Sequence, residues 1–164
     1  MTPLRQRMID ELERRNYAAR TVTTYVCAVA AFARHFKKSP ESLGLEEIRA
    51  WQLQLREEGR SWSWYNIHTC ALRFLYGTVL ERADFIEHIP YARTPRRLPT
   101  VLSQGEVLAI FEHVEQARDR IVLMTTYACG LRVSEVASLK VDDIDSARML
   151  VHVRNAKGGL LRAT

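Results

Sequence analysis

Cysteine is scarce in this 164-residue chain, and Cys27, Cys70 and Cys129 form no C-x-x-C pair and have no histidine nearby at ligand spacing. A disulfide framework or zinc knuckle is therefore not expected, and the three thiols read as small buried apolar groups. The five histidines show no metal-ligand pattern, and Asp142, Asp143 and Asp145 lack the glycine and distal glutamate of a calcium loop. Those aspartates read as turn and cap residues, and no metal site is expected. No apolar run approaches the roughly 18 residues that a membrane span needs. Residues 1–10 carry Arg5, Arg7 and Asp10 where a secretory signal would be apolar, so the default expectation is a cytoplasmic protein with no membrane partner. Internal repeats and low-complexity segments are missing too.

Acid is absent from one stretch in particular. Residues 90–100 hold three arginines and no Asp or Glu, and residues 1–40 hold eight Lys/Arg against three acids. Residues 41–89 reverse the balance, with five against eight, so the net charge of +5 is concentrated in the first segment and the connector. Such clustering suits a polyanion-binding surface, since each cation set against a phosphate releases condensed counterions. On charge alone a solvated helix face is an equal alternative.

What is present is mostly helical periodicity. Val22, Tyr25, Val26, Val29, Phe32, Ala33 and Phe36 recur at three- and four-residue steps and predict a helix over 21–37 with one buried stripe. Leu4, Met8, Ile9 and Leu12 predict a shorter helix before it. Ile48, Trp51 and Leu55 predict a third, closed by Gly59, and Trp64, Ile67, Ala71, Leu75 and Val79 a fourth. Four helices with short connections make a bundle. Trp51, Trp62 and Trp64 could stack on bases, but helical spacing makes core packing the better reading for Trp51 and Trp64.

Pro90, Pro95 and Pro99 interrupt the helices, giving a linker over 90–102 between a helical domain at 1–89 and a second domain at 103–164. The second opens on a capping box, Ser103 to Glu106, with Val107, Leu108, Phe111 and Val114 as its stripe. An apolar helix from Ile121 to Cys129 meets Gly130, suited to a left-handed stop. Beyond Leu139 the period falls to two, with Val141, Ile144, Met149, Val151 and Val153 alternating about turn residues 145–147.

Arg132 and Glu135 lie three residues apart just past that glycine, so a carboxylate can orient a guanidinium. An oriented guanidinium fork grips two phosphate oxygens and stabilises added charge. From spacing alone an ordinary surface ion pair is the better reading. Lys157, before Gly158-Gly159, is placed near a hairpin tip, where it could supply a proton or simply be solvated.

Gly130-Leu131-Arg132-Val133-Ser134-Glu135, then Leu139, Asp143-Ile144-Asp145 and Lys157-Gly158-Gly159 resemble the G-L-R-x-S-E, L-x-x-x-D-I-D and K-G-G pattern of the tyrosine recombinase (phage integrase) family. Upstream, residues 21–25, Tyr65-Asn66-Ile67-His68 and Leu72-Arg73-Phe74 resemble that family's core-binding domain, and Arg96-Arg97-Leu98-Pro99 its connector. The resemblance implies a mainly α fold: a SAM-like four-helix core-binding bundle, then the first helices and a β-hairpin of a mixed α/β catalytic domain. It implies double-stranded DNA as partner, other recombinase protomers in a tetramer, and neither metal nor cofactor.

The resemblance also assigns roles. Arg132 would be the first catalytic arginine, Glu135 its support, and Lys157 the general acid on the 5′-oxygen of a strand broken through a 3′-phosphotyrosyl link. Arg20, Thr21 and Thr24 on the second helix, and Asn66 and Arg73 on the fourth, fall where the family's bundle faces DNA; capping or solvation is the equal alternative for each. Arg93, Arg96 and Arg97 suit phosphate contacts from the connector. All six tyrosines precede Arg132, and only seven residues follow Lys157, so the family's nucleophile, H-x-x-R pair and later His or Trp have no counterpart. The expectation is a truncated chain that binds DNA without cleaving it. The alternatives are a non-catalytic regulator or inhibitor of a full-length relative, or a pseudogene product.

Overall fold

A computed structural model describes residues 1–93, 98–153 and 162–163, the last pair by backbone alone. Two compact units divide the chain, residues 1–97 and 98–164.

In the first unit Thr2 caps α1 (Pro3–Arg14), its hydroxyl accepting from the Arg5 N–H, with proline in the first turn. Leu4, Met8 and Leu12 form its buried stripe. Helix α2 (Ala19–Phe36) buries Val26, Ala28, Val29 and Phe32 against α4 and α1, and stops where Lys37 turns left-handed. Helix α3 (Leu45–Glu57) contributes Ile48, Trp51 and Leu55, and α4 (Trp62–Phe74) contributes Ala71, Leu72 and Phe74. These side chains share one core.

Helix α4 continues into a π-helical turn, Leu75–Val79, that seats Leu75, Tyr76 and Val79 inside. The buried Tyr76 hydroxyl donates to Pro40 O at 2.9 Å, tying this turn to the α2–α3 connection. Arg7 on α1 donates to Val79 O at 2.7 Å across 72 residues of chain. Short α5 (Asp84–Glu87) folds back so closely that a Cβ on Gly77 would stand 2.3 Å from Ile86 Cδ1. Any side chain there requires Ile86 to move aside.

Two expectations about facing fail in this unit. Ile67 is 37 % exposed, because the buried arc of α4 runs through His68, Thr69, Ala71 and Leu72 and puts position 67 outside it. Cys27 is exposed and not buried, because it lies next to the α2 stripe and not on it.

The second unit is mainly helical with a small sheet. The Ser103 hydroxyl accepts from the Glu106 N–H, and the Glu106 carboxylate from the Ser103 N–H, opening α6 (Gln104–Glu112) as the sequence predicts. Helices α7 (Ala117–Ala128) and α8 (Val133–Ala137) follow, then a 3-10 turn, Val141–Asp143. Strands β1 (Ile144–Asp145), β2 (Leu150–Val153) and β3 (Arg162–Ala163) pair antiparallel in that order.

Val141, expected in a strand, belongs to the 3-10 turn, and Met149 sits at φ +54° in the reversal before β2. The expected stripe on α6 is buried only at Val107; Leu108 is 52 % exposed. On α7, Ile121, Met124 and Tyr127 are likewise exposed. An apolar hollow of about 670 Å³ lies between these helices and the sheet, lined by Leu108, Phe111, Met124, Ile144 and Val151 among others.

Candidate functional site

The approach to Arg132 is built by the end of α7. Gly130 takes φ +57°, the Gly130 N–H donates to Tyr127 O at 3.3 Å, and the Leu131 N–H reaches Thr126 O at 3.0 Å. This paired closure turns the chain sharply and carries Leu131 into the interior, 7 % exposed. Arg132 therefore becomes the N-cap residue of α8 in extended conformation.

Glu135, one turn on, uses both carboxylate oxygens on Arg132. One accepts the Arg132 backbone N–H at 2.8 Å, and the other accepts Nη1 of the guanidinium at 2.6 Å. The two side chains differ greatly in exposure, Arg132 at 55 % and Glu135 at 1 %. A buried carboxylate thus holds Arg132 at two points, one on its backbone and one on the guanidinium, which limits its rotamers while leaving much of the fork accessible. An ordinary surface pair would expose both partners.

The nearby aspartates do structural work. Asp143 is buried and accepts the Lys140 N–H, closing the 3-10 turn. Asp145 accepts both the Arg148 N–H and its guanidinium across the β1–β2 reversal, and that cation holds its carboxyl below the usual range. Among the described residues no cluster of His, Cys, Asp or Glu could hold a metal.

The remaining candidates separate. Lys157, Arg96 and Arg97 lie outside the described residues. Arg93 is exposed, as is Arg20 in the first turn of α2. Thr21 is half-buried, and the Thr24 hydroxyl donates to Arg20 O at 2.7 Å. Among the described residues no side chain caps this end of α2 and no acid lies in its first turn, so apart from the Thr21 N–H, which turns back to Ala18 O, its positive pole stays open beside Arg20.

Asn66 and Arg73 are engaged within the first unit. The Asn66 amide accepts the Ala92 N–H at 2.9 Å and donates to Ala92 O at 3.2 Å. Arg73 Nη1 donates to Ile86 O and Ile89 O, and the guanidinium lies 4.8 Å from the Tyr91 ring centre. Buried Gln52 joins them, with Nε2 3.4 Å from Pro90 O. Sequence reasoning missed Gln52, although a lone amide within the apolar stripe of α3 is a signal of an internal partner.

A model described as the phage integrase N-terminal SAM-like domain matches residues 4–84, and one described as the phage integrase family matches residues 100–164. The chain belongs to the phage integrase family. A Sinorhizobium fredii protein, y4qK, named as a candidate integrase/recombinase, is 42 % identical over 161 residues, covering 96 % of this chain and 52 % of its own. An Escherichia coli integrase/recombinase is 35 % identical over 171 residues, covering 99 % of this chain and 50 % of its own. This integrase-family chain thus spans about half the length of those relatives. Thermococcus kodakarensis tyrosine recombinase XerA is 37 % identical over 106 residues, covering 63 % of this chain and 37 % of its own. A crystal structure of XerA recombinase aligns with TM-score 0.45 at 20 % identity, covering 98 % of this chain and 57 % of that one.

Proposed function

We propose that this integrase-family chain binds double-stranded DNA in site-specific recombination and carries part of a strand-exchange site. Arg132 grips the non-bridging oxygens of a phosphate, Glu135 orients it, and Lys157 protonates the leaving 5′-oxygen. The carrying observation is the two-point hold of the buried Glu135 carboxylate on the half-exposed Arg132. A permanently charged fork fixed before DNA arrives need not reorganise when charge builds on phosphorus.

In the first unit, Arg20 and Thr21 at the open pole of α2 offer a guanidinium, a hydroxyl and helix-end N–H groups to the backbone. Arg93, Arg96 and Arg97 add charge from the connector. Tyr17, Tyr25, Tyr65, Tyr76, Tyr91 and Tyr127 all precede Arg132, and the attacking hydroxyl is assigned to none of them. Other recombinase protomers are the partners, the setting is the cytoplasm, and no metal or cofactor takes part.

The full chain is titrated with a labelled random-sequence duplex across a range of salt. Arg132→Ala is expected to weaken binding and lower the slope of log K against log salt by about 0.9, one phosphate contact. An unchanged slope removes Arg132 from the DNA. The same mixture run on a denaturing gel should show no covalent protein–DNA adduct; an adduct overturns the partial-site reading. A second reading, a DNA-occupying inhibitor of a longer relative, is favoured by the self-contained core of the first unit. Inhibition of such a relative by this chain in equal amount separates the two.

A further inference from the structure

Three polar side chains from two helices converge on a single backbone stretch. Asn66 brackets both backbone groups of Ala92, Arg73 takes the carbonyls of residues 86 and 89, and Gln52 reaches the carbonyl of residue 90. The stretch itself is otherwise poor in anchors. Ile89 is fully buried, but Pro90 and Tyr91 are exposed, and no helix or strand covers 88–92. Without these side chains, Ile89 would be the last fixed point before the connector.

Their types suit the task. A carboxamide is the side chain that matches an amide N–H and C=O together, as a neighbouring strand would. A guanidinium satisfies two carbonyls from one nitrogen, and its upper face carries the Tyr91 ring. Neither Asn66 nor Arg73 then has the same groups to give to DNA.

We propose that Asn66 and Arg73, assisted by Gln52, form a latch that fixes where the chain leaves the first unit and so set the length of connector between two DNA-gripping units. These are positioning residues, and their effect on DNA rests on the DNA-binding reading above. With the latch closed, five residues separate Ala92 from the start of the second unit at Leu98. Opening it back to Ile89 lengthens that connection to eight residues. By loop-closure scaling, the effective concentration of one unit for DNA held by the other then falls about twofold.

The test uses the full chain and two kinds of readout. In the absence of DNA, Asn66→Ala should speed hydrogen exchange at the Ala92 amide and tryptic cleavage after Arg93 by roughly tenfold, the worth of one or two hydrogen bonds. Unchanged rates overturn the latch. On a random-sequence duplex, Asn66→Ala should weaken binding about twofold, with the salt slope unchanged. Arg73→Met should also leave the slope unchanged; a slope lower by about 0.9 would make Arg73 a phosphate contact and refute the positioning role.

Tyr91→Ala guards against misfolding, since that ring is 53 % exposed and outside the core, and it should loosen Ala92 while Tyr91→Phe restores it. Failure of Tyr91→Ala to alter Ala92 exchange removes the ring from the latch. If the unaltered chain does not bind the duplex, the DNA reading falls, and the latch stands or falls on exchange and cleavage alone.

Discussion

Replacing Glu135 by glutamine keeps the size of the side chain and removes its charge, which makes it a direct probe of the Arg132 geometry. Among its partners the carboxylate accepts from the Arg132 N–H and from Nη1. Glutamine offers one carbonyl oxygen and turns its NH2 toward the other donor, so one bond is lost and the survivor loses its anionic acceptor. Hydrogen bonds to charged groups contribute about 1.5–3 kcal/mol each and neutral ones about half that. The Arg132 side chain is 55 % exposed, so no buried charge is stranded and the loss falls at the lower end, about 2 kcal/mol.

The loss should appear in one unit only. Trp51, Trp62 and Trp64 all lie in residues 1–97, so tryptophan fluorescence follows the first unit, while far-ultraviolet circular dichroism follows helices in both. Urea denaturation of Glu135→Gln should move the dichroism transition to lower urea and leave the fluorescence midpoint in place. At a slope of about 1–2 kcal/mol per molar urea, 2 kcal/mol is a shift of roughly 1 M or more. An unmoved dichroism transition would show that the buried carboxylate does not hold Arg132 in solution.

Three further outcomes can be stated. Gly77→Ala should destabilise the first unit by up to about 1–3 kcal/mol, according to how far Ile86 can swing aside, and the double variant with Ile86→Ala should lose less than the sum of the two single losses in fluorescence-monitored urea titrations. Burial holds the His68 imidazole below its ordinary 6.5, against Trp51 and Trp64 and with only Glu58 pulling the other way. The stability owed to its neutral form is complete above that value and declines as pH falls below it, since the unfolded chain takes the proton first; His68→Phe should flatten this part of the pH profile. Ser61→Ala removes the hydroxyl that accepts the Trp64 N–H at the start of α4 and should cost about 1 kcal/mol, read as a lower fluorescence midpoint.

The bundle was legible because α1 and α2 each place their apolar residues on one arc, a property of sequence spacing alone. The capping box at Ser103 and the left-handed stop at Gly130 were legible for the same local reason. Position 67 was misjudged because α4 buries two polar residues, His68 and Thr69, and a pattern built on apolar residues alone drew the arc one position off. Within the second unit the apolar stripes of α6 and α7 are present in sequence but largely uncovered, so hydrophobicity there did not translate into burial.

The candidate site divides in the same way. Arg132 and Glu135 are one helical turn apart, and their pairing follows from spacing; that one is buried and the other open does not. The internal engagement of Asn66 and Arg73 is not legible in the sequence, because their partners, 13 to 26 residues further along, are backbone carbonyls and an N–H that no residue pattern advertises.

The link between Arg7 and Val79 bears on how the protein is made. Helix α1 leaves the ribosome before the rest of the bundle, yet it closes against a turn synthesised 72 residues later. Its apolar stripe of Leu4, Met8 and Leu12 must therefore wait in a nascent chain for its docking site to emerge. The bundle closes only once its last turn has been synthesised, and the second unit begins about twenty residues further along the chain.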